Sequence, residues 1–430
     1  MDPLRATFLK LLLLAVVLAV PSAFAEDRPE SPEAWLQLAA EALCAEWAML
    51  GLEAERALPG AWLLAEETEE SAEGLAKVTQ RFALPGGGEL RVQRLQPGGQ
   101  LRRFSAEYYR SDGEVAVPIL QATAGATCVY GSARRIRREG EERAVLQQLE
   151  GDLFTLRWSE TLEAPWPEGV DLGGPRIALV DSGLAYDLPL YRDRLARDPE
   201  GTPLGFDYWD MDPRPYDGDV SRGPFLPIRH GSAVASVLVR EAPEAALLPF
   251  RYPRPEMARM GELVERAAAA GARVLAMPLG SRNPEDWTAF AEALRARPQL
   301  LAIVSAGNDG EDIDENPLWP ATLDLPNMIV VTSADGFGRL APGSNWGAAS
   351  VDLMLPAENV PVIDFRGASG TASGSSYAVP RLAALAARIL AERPKLATEE
   401  LIREIYAQAT PSPYEEDVVA VGWIPDPLGR

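Results

Sequence analysis

The sequence predicts an α/β protein in which a parallel sheet with helices on both faces is preceded by a smaller α+β domain. Two patterns carry this prediction. Beyond about residue 175, short continuous runs of Val, Ile and Leu alternate with amphipathic, alanine-rich segments, as expected when parallel strands are buried on both faces. Before that point, one amphipathic segment is followed by short runs in which apolar and polar residues alternate, which is typical of an antiparallel sheet.

The length and charge of the chain limit the class of protein. Its 430 residues are enough for two domains with substantial cores. The formal net charge of −22 at pH 7 argues against a nucleic-acid partner, because a nucleic-acid-binding surface presents clustered Lys and Arg to the phosphates. With one histidine and two cysteines in the chain, a zinc site built from nitrogen and sulfur ligands is excluded.

The first 25 residues have the pattern of a signal peptide. Arg5 and Lys10 precede an apolar run at 11–20, and the small-x-small sequence at 23–25 predicts cleavage after Ala25. We therefore expect a secreted or periplasmic protein. The alternative, a membrane anchor, is disfavoured because the run is only about half of the roughly 20 residues that cross a bilayer. No stable membrane span is expected after cleavage.

Residues 26–163 are predicted to form the N-terminal α+β domain. Ser31 is placed to cap a helix that starts at Pro32, and apolar residues follow at helical spacing. Alternating runs such as the one at 115–119 predict strands joined by turns. In an exported protein Cys44 and Cys128 could form a disulfide, and two separate buried thiols are the alternative.

Residues 164–175 have the composition of a linker, and residues 176–430 are predicted to form the second domain. Strands and helices alternate along this part of the chain. The predicted strands are 176–180, 273–277, 299–305, 328–332 and 351–355, and the predicted helices between them include 255–270 and 284–296.

A glycine-rich stretch near the C terminus contains four serines, and one of them is a candidate nucleophile. They are Ser369, Ser373, Ser375 and Ser376. A serine hydroxyl becomes nucleophilic when an adjacent base accepts its proton, and histidine is the usual base near neutral pH. His230, the single histidine, precedes Gly231 and a helical pattern, which places it near a helix N terminus. Taken alone, a lone histidine is more often structural.

Two further residues follow predicted strands and complete a candidate site. Asp181 comes directly after strand 176–180, at the carboxyl edge of the sheet, where a carboxylate could fix the tautomer of the imidazole. A turn residue is the alternative interpretation of Asp181. Asn308 follows strand 299–305 and Gly307, and its amide is a neutral donor suited to a developing oxyanion.

Four short blocks carry a resemblance to a known family. VDSG at 180–183, HGS at 230–232, SAGN at 305–308 and GSSYAVP at 374–380 resemble, in the same order, the signature blocks of subtilisin-like serine peptidases. LAMPLGS at 275–281 is similar to the strand that lines the first specificity pocket in that family. The resemblance covers about residues 175–410. It implies a subtilisin-like fold with a catalytic triad of Asp181, His230 and Ser376. It also implies that Asn308 is the oxyanion donor. The substrate-binding residues that it implies are Leu279, Gly280, Ala306 and Gly307.

The resemblance also selects among the serines. The family has a proline four residues after its nucleophile, and Pro380 therefore selects Ser376. The alternative frame puts Ala372 at the nucleophile position and would mean an inactive protein. Ser376 is expected to open a helix, with Pro380 in a first turn that needs no N–H.

Two residues depart from the family pattern. Ser375 stands where threonine is usual, which keeps the hydroxyl. Pro278 replaces the usual serine in the pocket strand and removes a backbone donor, so the pocket shape and the substrate register are in question more than catalysis.

The sequence therefore predicts an exported serine endopeptidase that acts on polypeptides and requires no cofactor. A lipase-type α/β-hydrolase is excluded because it needs a histidine after its serine, and none follows Ser376. A catalytically silent binding or regulatory module with the same fold is the alternative.

Two features leave alternatives open. The N-terminal part is either a prosegment that binds its own peptidase domain or an accessory domain, and self-cleavage is predicted between residues 160 and 175. The acidic loops at 210–219 and 309–315 could bind calcium, although neither has a full ligand pattern and solvated loops are favoured.

Overall fold

The computed structural model describes residues 29–44, 50–71, 74–113, 115–412 and 418–428. The predicted signal peptide and its cleavage site lie outside these ranges. Within them, no helix combines the length and apolar character needed to cross a membrane. The chain divides into two compact units, one ending at Ala133 and including Gly151–Leu153, the other comprising Arg134–Glu150 and Phe154–Arg430. The boundaries predicted from linker composition stay predictions.

The first unit pairs two helices with an antiparallel sheet, as predicted. Its helices are α1 (Pro32–Leu43) and α2 (Gly51–Ala57), and its successive antiparallel strands are β1 (Trp62–Ser71), β2 (Gly74–Leu84), β3 (Gly88–Leu95), β4 (Arg103–Asp112) and β5 (Val115–Ala124). The division between the units falls within β6 (Tyr130–Arg138).

Helix α1 confirms the predicted start and supplies the core of the first unit. The Ser31 hydroxyl accepts a hydrogen bond from the backbone N–H of Ala34 at 3.1 Å, and Pro32 occupies the first helical position. The apolar face of α1 is buried and packs against β4. Cys44 and Cys128 form a disulfide, which rules out the alternative of two separate thiols.

The second unit contains a parallel sheet of eight strands. Two antiparallel strands, β7 (Ala144–Glu150) and β8 (Leu156–Glu163), precede it. Its strands are β9 (Arg176–Asp181), β10 (Phe206–Asp207), β11 (Ala246–Arg251), β12 (Ala272–Met277), β13 (Leu301–Ser305), β14 (Met328–Ala334), β15 (Leu353–Pro356) and β18 (Gly422–Trp423). A separate hairpin of β16 (Val360–Ile363) and β17 (Ser369–Ala372) lies between β15 and β18 in the chain. The spatial order is β10-β11-β9-β12-β13-β14-β15-β18, and every neighbouring pair is parallel.

Helices cover both faces of this sheet, which confirms the predicted fold class. They are α3 (Pro189–Arg192), α4 (Gly231–Glu241), α5 (Met260–Ala269), α6 (Thr288–Arg295), α7 (Ser375–Glu392) and α8 (Thr398–Tyr406). The buried side chains of α4 and α7 share one apolar core with the sheet, and those of α5 and α6 share another on the opposite face. The strands β11, β12, β13 and β14 are buried almost throughout, which explains their nearly continuous apolar sequences.

The strand order places Asp181 at the point where the direction of strand addition to the sheet reverses. After β9 the chain forms β10 and β11 on one side of that strand, and then continues with β12 on the other side. In open α/β sheets this reversal creates a crevice at the carboxyl ends of the strands, where ligands bind. Asp181 is the last residue of β9 and therefore lies at that crevice.

Two predicted helices begin later than expected. The predicted helix 255–270 consists of a 3₁₀ turn, Met257–Arg259, followed by α5, and Pro255 lies outside both. The predicted helix 284–296 likewise starts with a 3₁₀ turn, Pro284–Trp287, before α6. In each case the proline marked where the chain turns, and the tighter i→i+3 bonding of that turn delays the α-helix.

Candidate active site

Asp181 and His230 are in direct contact. Asp181 ends β9 and its side chain is only 5% exposed, while His230 is the N-cap residue of α4. The Nδ1 atom of His230 lies 2.8 and 2.9 Å from the two carboxylate oxygens of Asp181. An ionised carboxylate can only accept, so Nδ1 carries the hydrogen and donates it. Nε2 is then the ring nitrogen that can take a proton from a nucleophile.

The segments that carry this pair approach closely because small residues stand where they meet. A Cβ atom at Gly231 would lie 2.0 Å from the carbonyl oxygen of Gly183, so a larger residue would displace the loop after β9. The Ser182 hydroxyl accepts hydrogen bonds from the backbone N–H groups of His230 and Gly231, at 3.1 and 2.9 Å. These bonds satisfy amides at the start of α4 and tie them to the neighbour of Asp181.

Asp217 is a buried residue of the site that the sequence analysis did not identify. Its Oδ1 atom accepts a hydrogen bond from the Ser182 hydroxyl at 2.6 Å, and its Oδ2 atom accepts one from the backbone N–H of Ser232 at 3.0 Å. It belongs to the acidic loop 210–219, and no sequence signal separates it from its neighbours there. Its side chain is fully buried, so at this position the loop is not solvated.

The pKa of His230 is raised above its ordinary value of 6.5. Burial by itself lowers this pKa, but the charge of Asp181, the hydrogen bond to Asp181 and the charge of Asp217 together outweigh that effect. A higher pKa makes the neutral imidazole a stronger proton acceptor.

Ser375 fixes the orientation of the Asn308 side chain. The Oδ1 atom of Asn308 accepts hydrogen bonds from the backbone N–H and the hydroxyl of Ser375, at 2.9 and 3.0 Å. A backbone N–H can only donate, so the atom facing it is the amide oxygen, and the NH₂ group of Asn308 points to other partners. The Ser375 hydroxyl also lies 2.7 Å from that of Ser305, in a fully buried position. The signal for this role was the hydroxyl retained where the family has threonine.

Gly307 lets the chain pass directly from β13 to Asn308. Its φ is +97°, and a Cβ atom would lie 2.6 Å from both the Nδ2 atom of Asn345 and a methyl carbon of Leu318. Both the backbone conformation and the lack of space therefore require glycine here.

Ser376 is the second residue of α7. Backbone N–H groups in the first helical turn have no intrahelical partner, so the N–H of Ser376 can donate to an anion. Pro380 lies inside α7, beyond the first turn in which it was predicted. Because proline lacks an N–H, the carbonyl of Ser376 receives no α-helical hydrogen bond from position 380.

The segments carrying His230 and Ser376 adjoin each other. Helices α4 and α7 pack together in one core. The ring of His230 lies 6.0 Å, centre to centre, from the ring of Tyr377, which directly follows Ser376 in the chain. The helix starts that carry His230 and Ser376 therefore share one end of the sheet.

A cavity of about 330 Å³ opens beside Ser376 and Asn308. Leu279, Gly280 and Gly307, three of the four predicted substrate-binding residues, line it. The side chain of Ala306, the fourth, is instead fully buried in the core of the sheet. The cavity has the position expected for a pocket that receives a substrate side chain next to the reacting group.

Acidic side chains of the predicted loops form ion pairs and hydrogen bonds with other residues of the protein. Within the described ranges, no three or more His, Cys, Asp or Glu side chains are grouped so that they could hold a metal ion. In loop 309–315, Asp309 pairs with Arg282 at 2.9 Å, and Asp314 accepts hydrogen bonds from the backbone of Ala349 and Ser350. Loops without calcium stay the prediction, with calcium binding as the alternative.

Curated relatives match parts of the chain. Subtilisin-like protease het-Q2 of Podospora anserina is 29% identical over 198 residues, which cover 41% of this chain and 53% of that protein. Subtilisin-like protease 5 of Trichophyton tonsurans is 38% identical over 120 residues, which cover 28% of each chain. The chain thus spans about half, or less, of the length of these relatives.

Solved structures with a similar chain course include two of low sequence identity. A cold adapted subtilisin-like serine proteinase is 22% identical with a TM-score of 0.48, covering 59% of this chain and 89% of that chain. The A-subunit of the AB5 toxin from E. coli is 20% identical with a TM-score of 0.48, covering 60% and 92%.

A family model settles the relationship. The model of the subtilase family, Peptidase S8, matches residues 173–423, which is more than half of the chain. The matched range contains all four blocks that carry the resemblance. Asp181 and His230, which are in contact, both lie within it. The chain belongs to the subtilase family.

Proposed function

We propose that this protein is an exported serine endopeptidase that hydrolyses peptide bonds of polypeptide substrates. The observation that carries the proposal is the contact of 2.8 Å between Asp181 and the one histidine of the chain, at the carboxyl edge of the parallel sheet. Such a pair serves to hold an imidazole as a general base. The raised pKa of His230 and the adjoining start of α7 support the same role.

The chemistry follows from the groups at the site. Ser376 Oγ attacks the carbonyl carbon of the scissile bond as Nε2 of His230 takes the hydroxyl proton, and Asp181 stabilises the imidazolium. The NH₂ group of Asn308 and the N–H of Ser376 donate to the oxyanion. His230 then gives its proton to the leaving amine, which leaves an ester at Ser376. A water molecule, deprotonated by His230, hydrolyses this ester and restores the serine.

The pocket supports a polypeptide substrate. The cavity of about 330 Å³ is lined by Gly280, Gly307 and the apolar side chain of Leu318, so it suits the side chain that precedes the scissile bond. The strand end at 278–280 offers backbone carbonyls to an extended chain, while Pro278 lacks the N–H that could pair with it.

Active-site labelling tests the proposal. An active-site-directed fluorophosphonate should label the wild-type protein and leave Ser376→Ala unlabelled. Ser373→Ala is the matched control from the same serine-rich run, because the Ser373 hydroxyl accepts a hydrogen bond from the backbone of Asn359 and lies outside the proposed relay. Wild-type protein that takes no label, or label that survives Ser376→Ala, would instead support the catalytically silent binding module.

A further inference from the structure

We propose that Glu160, on β8 and outside the family-matched region, is a positioning residue for the catalytic site, because one carboxylate holds both the residue before His230 and the hairpin before Ser376. This inference rests on the proposed function. It assigns to the segment 156–163 a part in the activity of the second unit, to which β8 belongs.

The first contact is an ion pair sheltered from water. The Nη2 atom of Arg229 lies 3.3 Å from Oε1 of Glu160 and also donates to the carbonyl oxygen of Thr161 at 3.1 Å. The Glu160 and Arg229 side chains are each only 8% exposed. Removing one charge from such a pair leaves the other buried without compensation, so the pair resists separation. Arg229 directly precedes His230 in the chain.

The second contact reaches the hairpin that leads into α7. The Oε2 atom of Glu160 lies 3.4 Å from Nη2 of Arg366, at the tip between β16 and β17. The Arg366 guanidinium also lies 5.2 Å from the ring centre of Trp158 on β8. The Arg229 guanidinium lies 4.7 Å from the ring centre of Phe365, so Arg229 also contacts the hairpin that carries Arg366. Strand β17 ends at Ala372, just before the start of α7.

The clamp formed by Glu160, Arg229 and Arg366 adds to the contacts that hold the backbone of His230 and Gly231. The backbone N–H groups of His230 and Gly231 are bound to the Ser182 hydroxyl, whereas the residue before His230 is held through Arg229 by Glu160. Among the described residues, the Nε and Nη1 atoms of Arg229 are buried without a hydrogen-bond partner, so its orientation depends on the contacts of Nη2.

A change at the clamp should affect turnover more than substrate binding. The cavity beside Ser376 is lined by residues of 278–282, 305–309 and Leu318, which do not include the clamp residues. General-base catalysis requires the imidazole within hydrogen-bond reach of the nucleophile, and a displacement of about 1 Å can cost up to about 10²-fold in rate.

Two variants on the same strand separate positioning from general stability. Glu160→Gln removes the charge of the clamp, and we expect kcat to fall by about tenfold or more while KM changes by less than about twofold. Glu163→Gln is the matched control, since Glu163 pairs with Arg214 at 2.5 Å, both side chains are 18% exposed, and neither adjoins a catalytic residue in the chain. It should leave both kcat and KM within about twofold of wild type. Both constants are measured on a peptide substrate and normalised to the fraction of protein that fluorophosphonate labels.

The outcomes distinguish this inference from the proposed function. Wild-type protein without Ser376-dependent turnover overturns the proposed function and the clamp with it. Active wild-type protein together with an unchanged kcat in Glu160→Gln, or an equal fall in Glu163→Gln, overturns the clamp alone. If Glu160→Gln does not fold, Arg366→Gln replaces it. The Arg366 side chain is 56% exposed, and this change removes only the ion pair between Glu160 and Arg366. A lower kcat at unchanged KM then supports the clamp, and an unchanged kcat refutes it.

Discussion

At the scale of single residues, the side chain of Asn308, the proposed oxyanion donor, has an orientation fixed by hydrogen bonds. Its amide oxygen is held by the N–H and the hydroxyl of Ser375, which leaves the NH₂ group to the cavity that Ser376 lines. A donor already aimed at a developing charge needs no reorganisation during the reaction, and this is the source of its effect on rate.

Replacement of Asn308 should therefore lower turnover strongly. We expect Asn308→Ala to reduce kcat by about 10²–10³-fold with little change in KM, a range established with subtilisin itself. Asn308→Asp keeps an oxygen facing Ser375 but loses the donor, so it should fall comparably. Steady-state kinetics on a peptide substrate measure both variants. Wild-type turnover in either would show that the oxyanion binds elsewhere.

The pH dependence of activity should reflect the raised pKa of His230. A protonated imidazole cannot act as a base, so kcat/KM is expected to decline as the pH falls through the pKa of the free enzyme. Asp181 and Asp217 raise that pKa, which puts the midpoint of this decline above 6.5. A kcat/KM profile, with tryptophan fluorescence recorded over the same range to confirm folding, measures the midpoint. A midpoint at or below 6.5 contradicts the assigned electrostatics.

The sequence was sufficient to identify those site residues whose position in the fold follows from local patterns. Asp181 follows a strand and His230 precedes a helix, so their meeting at the sheet edge could be predicted from local patterns. Asp217 could not be found in this way, because its role depends on a hydrogen bond to Ser182, 35 residues away in the chain. The retained hydroxyl singled out Ser375, but its partner Asn308 is apparent only in the folded structure. Glu160 lies outside the family blocks, and its partners appear only once the chain is folded.

At the scale of elements, the strands were predicted better than the helix starts. A strand buried on both faces must be continuously apolar, so runs of Val, Ile and Leu locate it to within a few residues. Helices α5 and α6 each follow a 3₁₀ turn, and the pattern of apolar residues does not distinguish that turn from the first α-helical residues. In β8, apolar and polar residues alternate, yet Leu156 and Trp158 are exposed, because alternation does not tell which face is covered.

The disulfide of the first unit should stabilise that unit. It joins cysteines 84 residues apart. In the chain-entropy model, closing a loop of this length contributes about 4–5 kcal/mol to the free energy of unfolding. We expect reduction, or the double change Cys44→Ala and Cys128→Ala, to lower the midpoint of unfolding of the first unit. Thermal unfolding with and without reductant measures this, and an unchanged midpoint would mean that the bond constrains little.

At the scale of the whole molecule, two patterns of composition predicted two kinds of sheet, and both are present. The place of the structural division was less accessible to sequence reasoning. Strand β8 has the alternating pattern of the antiparallel part and pairs with β7, yet both strands belong to the same compact unit as the parallel sheet. Local patterns report the type of an element, whereas membership of a unit depends on contacts made after folding.

Self-cleavage between residues 160 and 175 should occur where that segment is exposed. Ala164 is buried, its carbonyl accepts a hydrogen bond from Tyr186, and the ring of Trp166 lies 4.1 Å from that of Tyr186. Val170 and Leu172 are 59% and 63% exposed. We therefore expect the cut at 168–174 in wild-type protein, with the fragment that carries Glu160 still bound through Arg229 and Arg366, and an uncut chain in Ser376→Ala. Mass spectrometry of both proteins decides, and an active wild-type protein that remains whole contradicts the prediction.

The position of Ser376 late in the chain has a consequence during synthesis. Asp181 and His230 are synthesised about 150–200 residues before Ser376 and the start of α7, so a nascent chain contains the proposed acid and base before the proposed nucleophile. Chains released prematurely before that point lack the hydroxyl altogether. Under the proposed function, a growing chain therefore gains hydrolytic capacity only after Ser376 has been added.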